Sequence, residues 1–261
     1  MNIQRNLINL IAHPILTFKL INKFMINFLF EDLAKKNAHN FFKNKNLLKY
    51  FNKGQENEII TDFIDLKNLY CLIKKRKPRC VVEFGSGFST IAICLALKEN
   101  KDKENISGKL FSVDGNEEWI KNTENKVDNE LKEFVKFHYS KTKITKYNGQ
   151  VSSLHEDLPD VSPNFIYLDG PSPLDVEGEI NGITFNSKNK KNLNKNDIRR
   201  IVAADVLLYE STAPADFFVL VDRRYINANF LEKNLVYKYK IRKKLYFGGF
   251  VSFEKKYQPY P

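Results

Sequence analysis

The chain has 261 residues, of which 43% are hydrophobic, enough for one full α/β domain with a sizeable core and a terminal extension. Its three cysteines, Cys71, Cys80 and Cys94, lack C-x-x-C and Cys/His spacing, which argues against a disulfide framework or a zinc site and favours a reducing, cytoplasmic compartment. The formal net charge is +11, but lysine and asparagine are scattered through the loops beside abundant isoleucine and phenylalanine. Because these residue types share AT-rich codons, we do not favour a nucleic-acid partner on charge alone.

Residues 1–60 are predicted to form a helical extension. The uncharged run from Asn6 to Phe18 is shorter than the roughly 20 residues of a membrane-spanning helix, and Lys19 and Lys23 interrupt the apolar residues after it. The segment from Pro14 to Phe30 is therefore predicted to be a largely apolar helix with a narrow polar stripe. We expect it to pack on the core or on a second subunit in a homodimer, in preference to a peripheral position on a membrane. A polar break is predicted at 52–57.

Residues 61–261 are predicted to form the main domain, in which strands and helices alternate. After a helix over 59–74, strands are predicted near 80–84, 109–113, 134–139, 164–168 and 216–221, followed by two strands within 236–241 and 246–253. This order is typical of a doubly wound α/β fold with a mostly parallel sheet.

A glycine turn follows the first of these strands. Val81, Val82 and Phe84 supply the apolar run of a buried parallel strand, and Gly85 and Gly87 allow a sharp turn and a close approach to a ligand. A helix over about 90–98 then begins, capped by Ser89 or Thr90. The exposed amide groups of that helix would face a nucleotide-like ligand.

The turn departs from the dinucleotide fingerprint G-x-G-x-x-G, because Thr90 stands where the third glycine belongs; a hydride-transfer cofactor is therefore disfavoured. Glu83, two residues before Gly85, completes the pattern V-x-E-x-G-x-G-x-S-T. This pattern resembles the first motif of the class I S-adenosylmethionine-dependent methyltransferases. The resemblance extends over roughly 60–255 and implies a seven-stranded sheet whose last strand is antiparallel. It implies that the carboxylate at Glu83 organises the turn and the methionine end of the cofactor, and it assigns cofactor binding to Glu83, Phe84, Gly85, Ser86, Gly87, Ser89, Thr90, Asp114 and Asp169.

Three more predicted strands end in a carboxylate: Asp114, Asp169 and Asp222. Ligands of open α/β sheets bind outside the carboxyl ends of the strands, so these side chains are predicted to share one crevice. Asp114 would accept the hydroxyl groups of a ribose. Asp169 is the first candidate for a general base or for orienting the acceptor, and Asp222 is the second. His155 is a further possible base, although a solvated position in a polar loop is the favoured interpretation.

The residues around Asp222 leave the metal question open. In catechol-type O-methyltransferases an acid at the Asp169 position and an Asp-Asn pair at the next strand end bind magnesium, whereas this chain reads Asp222-Arg223. Arginine cannot ligate a metal, so a divalent ion bound by Asp169 and Asp222 is possible but unproven. Arg223 and Arg224 are candidates for binding a carboxylate or phosphate of the substrate, with surface solvation or an internal salt bridge equally open.

The sequence Asp169-Gly170-Pro171-Ser172 lacks the Asp/Asn-Pro-Pro-aromatic motif of enzymes that methylate nucleic-acid bases. It is similar instead to small-molecule and carbohydrate O-methyltransferase-like proteins. The resemblance thus implies O-methylation of a small polar acceptor such as a sugar or sugar conjugate, with 172–196 forming a substrate wall. Two alternatives are an aminopropyltransferase, which the cationic Arg223-Arg224 pair disfavours, and a non-catalytic scaffold that has kept the cofactor pocket.

Overall fold

The computed structural model describes residues 30–51, 62–185, 201–243 and 249–256. The helix predicted from Pro14 lies outside the described residues except for Phe30, as do the predicted break at 52–57 and positions 186–196 of the predicted substrate wall. Within the described ranges, no helix is both long enough and apolar enough to cross a membrane.

Seven strands form the central sheet. They are β1 (Cys80–Phe84), β2 (Lys109–Asp114), β3 (Val135–Tyr139), β6 (Phe165–Leu168), β8 (Phe218–Val221), β9 (Tyr239–Lys243) and β10 (Val251–Lys255). Their spatial order is β3-β2-β1-β6-β8-β10-β9, with parallel pairing from β3 to β8. The last strand in the chain, β10, runs antiparallel to both of its neighbours, β8 and β9. The predicted doubly wound fold with an antiparallel last strand is confirmed.

Six helices accompany the sheet in the described residues: α1, whose described part covers 30–44, α2 (Phe63–Arg76), α3 (Phe88–Glu104), α4 (Glu117–Lys126), α5 (Asp205–Glu210) and α6 (Tyr225–Asn234). Short 3-10 turns lie at Leu48–Tyr50, Asn129–Phe134 and Pro173–Asp175. Successive side chains of a strand point to opposite faces of the sheet, so the hydrophobic core of the central sheet consists of two clusters, one on each face. Val81 packs on one face with α2 and α3, and Val82 packs on the other face with α5 and α6.

A second, three-stranded sheet was not predicted. Its strands β4 (Thr142–Tyr147) and β5 (Gln150–His155) form an antiparallel hairpin, and β7 (Val176–Glu177) pairs parallel to β4. The hairpin turns at Asn148 and Gly149, both with positive φ. Asn-Gly between two short strands is a strong hairpin signal, and it could have located this element.

Candidate active site

Four residues lie level with one another at the carboxyl edge of the sheet. Phe84 of β1 is paired with Val113 of β2 and with Leu168 of β6, which in turn is paired with Val221 of β8. The residue that follows each of these four in the chain belongs to the next row of the sheet. That row consists of Gly85, Asp114, Asp169 and Asp222. The sheet therefore brings together the turn and the three carboxylates that the sequence places at strand ends.

Glu83 lies beneath this row and is fully buried. Its Oε2 accepts hydrogen bonds from the hydroxyls of Thr90 (2.6 Å) and Ser112 (2.9 Å). Its Oε1 has no hydrogen-bond partner among the described residues. Burial raises the pKa of Glu83 to about 7, against the lowering effect of these hydroxyl donors and of Ser89. The carboxyl group is therefore fixed to the turn and to β2 and titrates near neutral pH.

The first turn of α3 differs from the predicted capping. Gly87, not Ser89 or Thr90, is the N-cap residue, and both predicted caps lie inside the helix. Thr90 still serves the turn, because its Oγ1 accepts a hydrogen bond from the Gly87 amide at 3.0 Å while donating to Glu83. The threonine that replaces the third glycine of the dinucleotide pattern thus joins the glycine turn to the buried carboxylate.

The turn is packed tightly on one side and open on the other. Gly85 has φ +100°, and a Cβ at Gly170 would lie 2.9 Å from the Gly85 amide nitrogen and 3.0 Å from the Phe84 carbonyl. A Cβ at Gly87, by contrast, would meet no atom within 4 Å. The backbone at Gly87 therefore faces space that a ligand can enter.

Asp114 holds the tips of the first two strands together. Its Oδ2 accepts from the Ser86 amide at 2.8 Å and its Oδ1 accepts from the Asn116 amide at 2.9 Å. Burial raises the pKa of Asp114, and the two amide donors oppose that rise. The indole N–H of Trp119 in α4 donates to the Ser86 carbonyl, so α4 also holds the glycine turn in place. Each carboxylate oxygen accepts one backbone hydrogen bond and keeps a lone pair for a further donor.

Asp169 and Asp222 form an electrostatically coupled pair. Partial burial raises the pKa of Asp169 to about 6, although 44% of its side chain is exposed, and the charges of Arg224 and Arg223 oppose that rise. Burial raises the pKa of Asp222 to about 8, and the nearby Asp169 carboxylate adds to that rise. Ionisation of either carboxylate therefore favours protonation of the other, and the two titrate as a pair.

The two arginines after Asp222 have partners within the chain. Arg224 donates to the backbone carbonyls of Asp169 and Pro171, the latter at 3.1 Å, so it holds the segment that follows β6. Arg223 has positive φ and forms ion pairs with Asp62 and Asp65 at the start of α2. Both arginines thus form salt bridges within the chain, which was one of the roles left open for them. Their binding of a substrate stays a prediction.

His155 is not a solvated loop residue. It lies at the end of β5 with only 1% of its side chain exposed, and its Nδ1 is 3.0 Å from Oδ1 of the fully buried Asp205. Its ring stacks on Phe84 with the centroids 5.4 Å apart. The prediction that His155 is solvated was wrong. The hairpin of β4 and β5, which was not predicted, places His155 against Phe84 of the central sheet, where Asp205 of α5 is its partner.

The described part of the segment after Asp169 crosses from β6 toward β2. After the 3-10 turn at Pro173–Asp175, the Asp175 carboxylate accepts from the Asn116 amide side chain at 3.3 Å. Among the described residues, no group of three or more His, Cys, Asp or Glu side chains is arranged to hold a metal ion. A divalent ion on Asp169 and Asp222 therefore stays a prediction.

Comparison with known families supplies a match over this region. The family model described as a methyltransferase domain matches residues 82–179, fewer than half of the chain. The predicted resemblance to methyltransferases is confirmed over these residues. The matched methyltransferase segment runs from β1 past β7 and contains the glycine turn, Asp114 and Asp169. A search of curated proteins found no match.

Solved structures with similar folds include the O-methyltransferase TomG from Streptomyces achromogenes, which is involved in tomaymycin synthesis and was solved in complex with SAM. It is 12% identical, with 89% of this chain and 96% of that chain covered and a TM-score of 0.45. An O-methyltransferase from Bacillus cereus in complex with SAH is 11% identical, with coverages of 89% and 97% and a TM-score of 0.47. A methyltransferase from Geobacter sulfurreducens is 12% identical, with coverages of 86% and 90% and a TM-score of 0.45. The fold assignment rests on the strand order described above, not on these similarities.

Proposed function

We propose that this protein is an S-adenosylmethionine-dependent O-methyltransferase acting on a small polar acceptor such as a sugar or sugar conjugate. The observation that carries the proposal is the level row of Gly85, Asp114 and Asp169 at the carboxyl edge of a sheet that contains the matched methyltransferase segment. The turn and the two carboxylates lie beside one another, which supports Asp114 as the ribose-binding residue and Asp169 as the residue on the acceptor side.

The residues of the row suit the proposed cofactor. The open space at Gly87 admits the methionine end, and the remaining lone pairs of Asp114 can accept both ribose hydroxyls. Glu83 keeps the turn in place from below through Thr90. When bound, S-adenosylmethionine supplies an electrophilic methyl group on its sulfonium sulfur.

The chain's own contribution to transfer is positioning and proton acceptance. Arg224 and Arg223 lower the pKa of Asp169 and so favour its ionised form, which can accept the proton of an acceptor hydroxyl. Burial and the nearby Asp169 raise the pKa of Asp222 and so favour its protonated form, which is suited to donate a hydrogen bond. Arg224 holds the backbone at Asp169 and so fixes the direction of its carboxylate.

We also propose a cytoplasmic location, which the three free cysteines, one of them exposed, support because a reducing compartment keeps thiols free.

Calorimetric titration of the purified protein tests the proposal. S-adenosylmethionine and S-adenosylhomocysteine are expected to bind with micromolar affinity, and NADH is expected not to bind. Repeating the titrations with and without magnesium tests the two-carboxylate metal prediction. If neither sulfur compound binds, the glycine turn serves another purpose and the proposed function is wrong. If they bind but no acceptor in a panel of sugars is methylated, the non-catalytic scaffold is the better description.

A further inference from the structure

The side chain of His155 is held in one orientation by a single carboxylate oxygen. Oδ1 of Asp205 accepts a hydrogen bond from the backbone amide of His155 at 2.8 Å and lies 3.0 Å from its ring Nδ1. Because a carboxylate only accepts, the ring Nδ1 is the donor of the second hydrogen bond. Neither side chain is more than 1% exposed, so the imidazole is enclosed by protein and does not reach a substrate in this arrangement.

Asp205 is itself fixed by the elements on either side of it. Two backbone hydrogen bonds at Ser153, of 2.8 and 2.9 Å, pair β5 with the chain that leads into α5. The side-chain amide of Asn227 in α6 forms two hydrogen bonds with the backbone of Ala203, at 2.8 and 3.1 Å. Asp205 follows two residues later and is fully buried. The carboxylate that orients His155 is therefore held in place by both β5 and α6.

The oriented imidazole packs on the last residue of β1. Its ring stacks on the ring of Phe84, with the centroids 5.4 Å apart and the planes 29° from parallel. A second aromatic neighbour of Phe84, Tyr209, is farther away at 6.5 Å and more strongly tilted at 47°. Phe84 is fully buried, and stacked rings in a core attract one another beyond the effect of the area they bury. His155 is therefore the closer and better aligned of these two contacts on Phe84.

The backbone of Phe84 adjoins both halves of the candidate site. Its carbonyl accepts from the Asp169 amide at 3.0 Å. The next residue, Gly85, begins the glycine turn, and its amide donates to the Val113 carbonyl at 2.9 Å, one residue before Asp114. Because interiors are close-packed, a shift of the Phe84 ring moves the backbone to which it is attached. The position of the glycine turn therefore depends on what packs against Phe84.

We propose that His155 is a positioning residue for the cofactor: its ring, oriented by Asp205, supports Phe84 and thereby the glycine turn. The inference rests on the proposed function, in which the turn receives the methionine end of S-adenosylmethionine. It gives the hairpin of β4 and β5, which carries His155, a role in cofactor binding. The stacked ring acts on the turn, and the hydrogen bond to Asp205 acts on the ring.

Two variants separate the ring of His155 from its hydrogen bond. His155→Phe keeps a flat ring against Phe84 and removes the donor to Asp205, whereas His155→Asn keeps a donor and removes the ring. Both are expected to lower Tm, the first because buried Asp205 loses a donor and the second because a cavity forms beside Phe84. In calorimetric titrations, His155→Asn is expected to bind S-adenosylhomocysteine about tenfold more weakly than the wild type, and His155→Phe less than about threefold more weakly. A merely structural role would make the losses of affinity follow the losses of Tm.

The fluorescence of Trp119 gives a second measurement that needs no cofactor. It is the only tryptophan of the sequence, and its indole donates to the Ser86 carbonyl in the glycine turn. Its emission therefore reports on the turn in the cofactor-free protein. We expect a changed emission spectrum in folded His155→Asn and the wild-type spectrum in His155→Phe.

The matched control is Phe253→Leu, in a fully buried ring of the same core cluster on β10, which β6 and β8 separate from β1. It is expected to lower Tm and to leave both affinity and emission unchanged. Phe84→Leu removes the same stacking from the side of β1 and is expected to weaken binding as His155→Asn does, which keeps the inference testable if His155→Asn does not fold.

Three results would overturn the inference. They are wild-type affinity in His155→Asn or Phe84→Leu, an equal loss of affinity in His155→Phe and His155→Asn, and an equal loss in Phe253→Leu. Failure of S-adenosylhomocysteine to bind the wild type would overturn the proposed function instead. The emission of Trp119 would then still show whether His155 positions the turn.

Discussion

The amino and carboxyl edges of the central sheet differ in how completely their carboxylates are hydrogen-bonded. At the amino edge, Asn164 accepts from the Arg79 and Cys80 amides at 3.2 Å each and donates to Asp216 at 2.8 Å. Nearby, Arg76 contacts Glu254 at 2.6 Å and stacks on the Phe218 ring at 3.7 Å. The polar groups of this edge therefore contribute to the stability of the fold.

At the carboxyl edge, buried carboxylate oxygens lack hydrogen-bond donors among the described residues. They are Oε1 of Glu83, Oδ1 of Asp65, Oδ1 of Asp222 and Oδ2 of Asp205, the partner of His155. The same sheet thus stabilises the fold at one edge and keeps binding capacity at the other. Unsatisfied polar groups in a folded protein are costly, and they are expected where a ligand completes the hydrogen bonding. This contrast indicates where to look for ligand-dependent effects.

The largest stability effect is expected where the carboxyl edge is packed most tightly. Gly170→Ala would place a methyl group about 3 Å from the backbone of Phe84 and Gly85, which cannot move without shifting β1. We expect a loss of about 1–3 kcal/mol in the free energy of unfolding, measured by urea denaturation. Gly87→Ala is the control, because no atom lies within 4 Å of its new Cβ. Equal stabilities for the two variants would contradict the packing described here.

A smaller effect, confined to stability, is expected at the amino edge. Arg76→Ala removes the ion pair with Glu254 and the stacking on Phe218, for an expected loss of about 1–2 kcal/mol. Thermal unfolding measures this loss, and calorimetry should show unchanged affinity for S-adenosylhomocysteine. The exposed neighbour Lys75→Ala serves as the control. A large drop in cofactor affinity for Arg76→Ala would remove the distinction between the two edges.

The last effect is seen only in the pH dependence of stability. The pKa of Asp222 in the folded protein is raised to about 8 from an unfolded value near 4, so the folded state binds more protons between these values. Its contribution therefore makes stability fall as pH rises from about 4 to 8. Asp222→Asn removes this penalty, and its Tm is expected to gain on the wild type by a few degrees between pH 5 and pH 9.

Neighbouring charges bear on that pH measurement. Asp169 and Asp65 raise the pKa of Asp222 further, whereas Arg223 and Arg224 lower it. Asp102→Asn, at a carboxylate that is 51% exposed and pairs with Lys98, controls for the loss of one negative charge. If the Tm of Asp222→Asn and the Tm of the wild type change in parallel over this pH range, burial does not raise the pKa of Asp222.

The sequence predicted the central sheet well because its strands are continuous apolar runs. All five predicted parallel strands and both closing strands overlap observed ones. The small sheet was missed because Thr142–Tyr147 alternates polar and basic residues with few apolar ones, and its packing partners come from elsewhere in the chain. The Asn148-Gly149 turn was the available signal.

The side-chain partners of the site could not be predicted in the same way. The surroundings of Asp222 depend on contacts such as that of Arg223 with Asp62, which are 161 positions apart in the chain. His155 likewise depends on Asp205, 50 positions later, to become a buried partner. Strand ends are visible in a sequence because they are local, whereas the charge environment of each strand end is a property of the folded chain.

The proposed function divides the carboxyl edge into a cofactor side at β1 and β2 and an acceptor side at β6 and β8. Titration of S-adenosylhomocysteine into the wild type, Asp114→Ala and Asp169→Ala tests this division. We predict that Asp114→Ala weakens binding by at least about tenfold, because the ribose hydroxyls lose their acceptor, while Asp169→Ala leaves the affinity near that of the wild type. Unchanged affinity in Asp114→Ala, or an equal loss in both variants, would contradict the division.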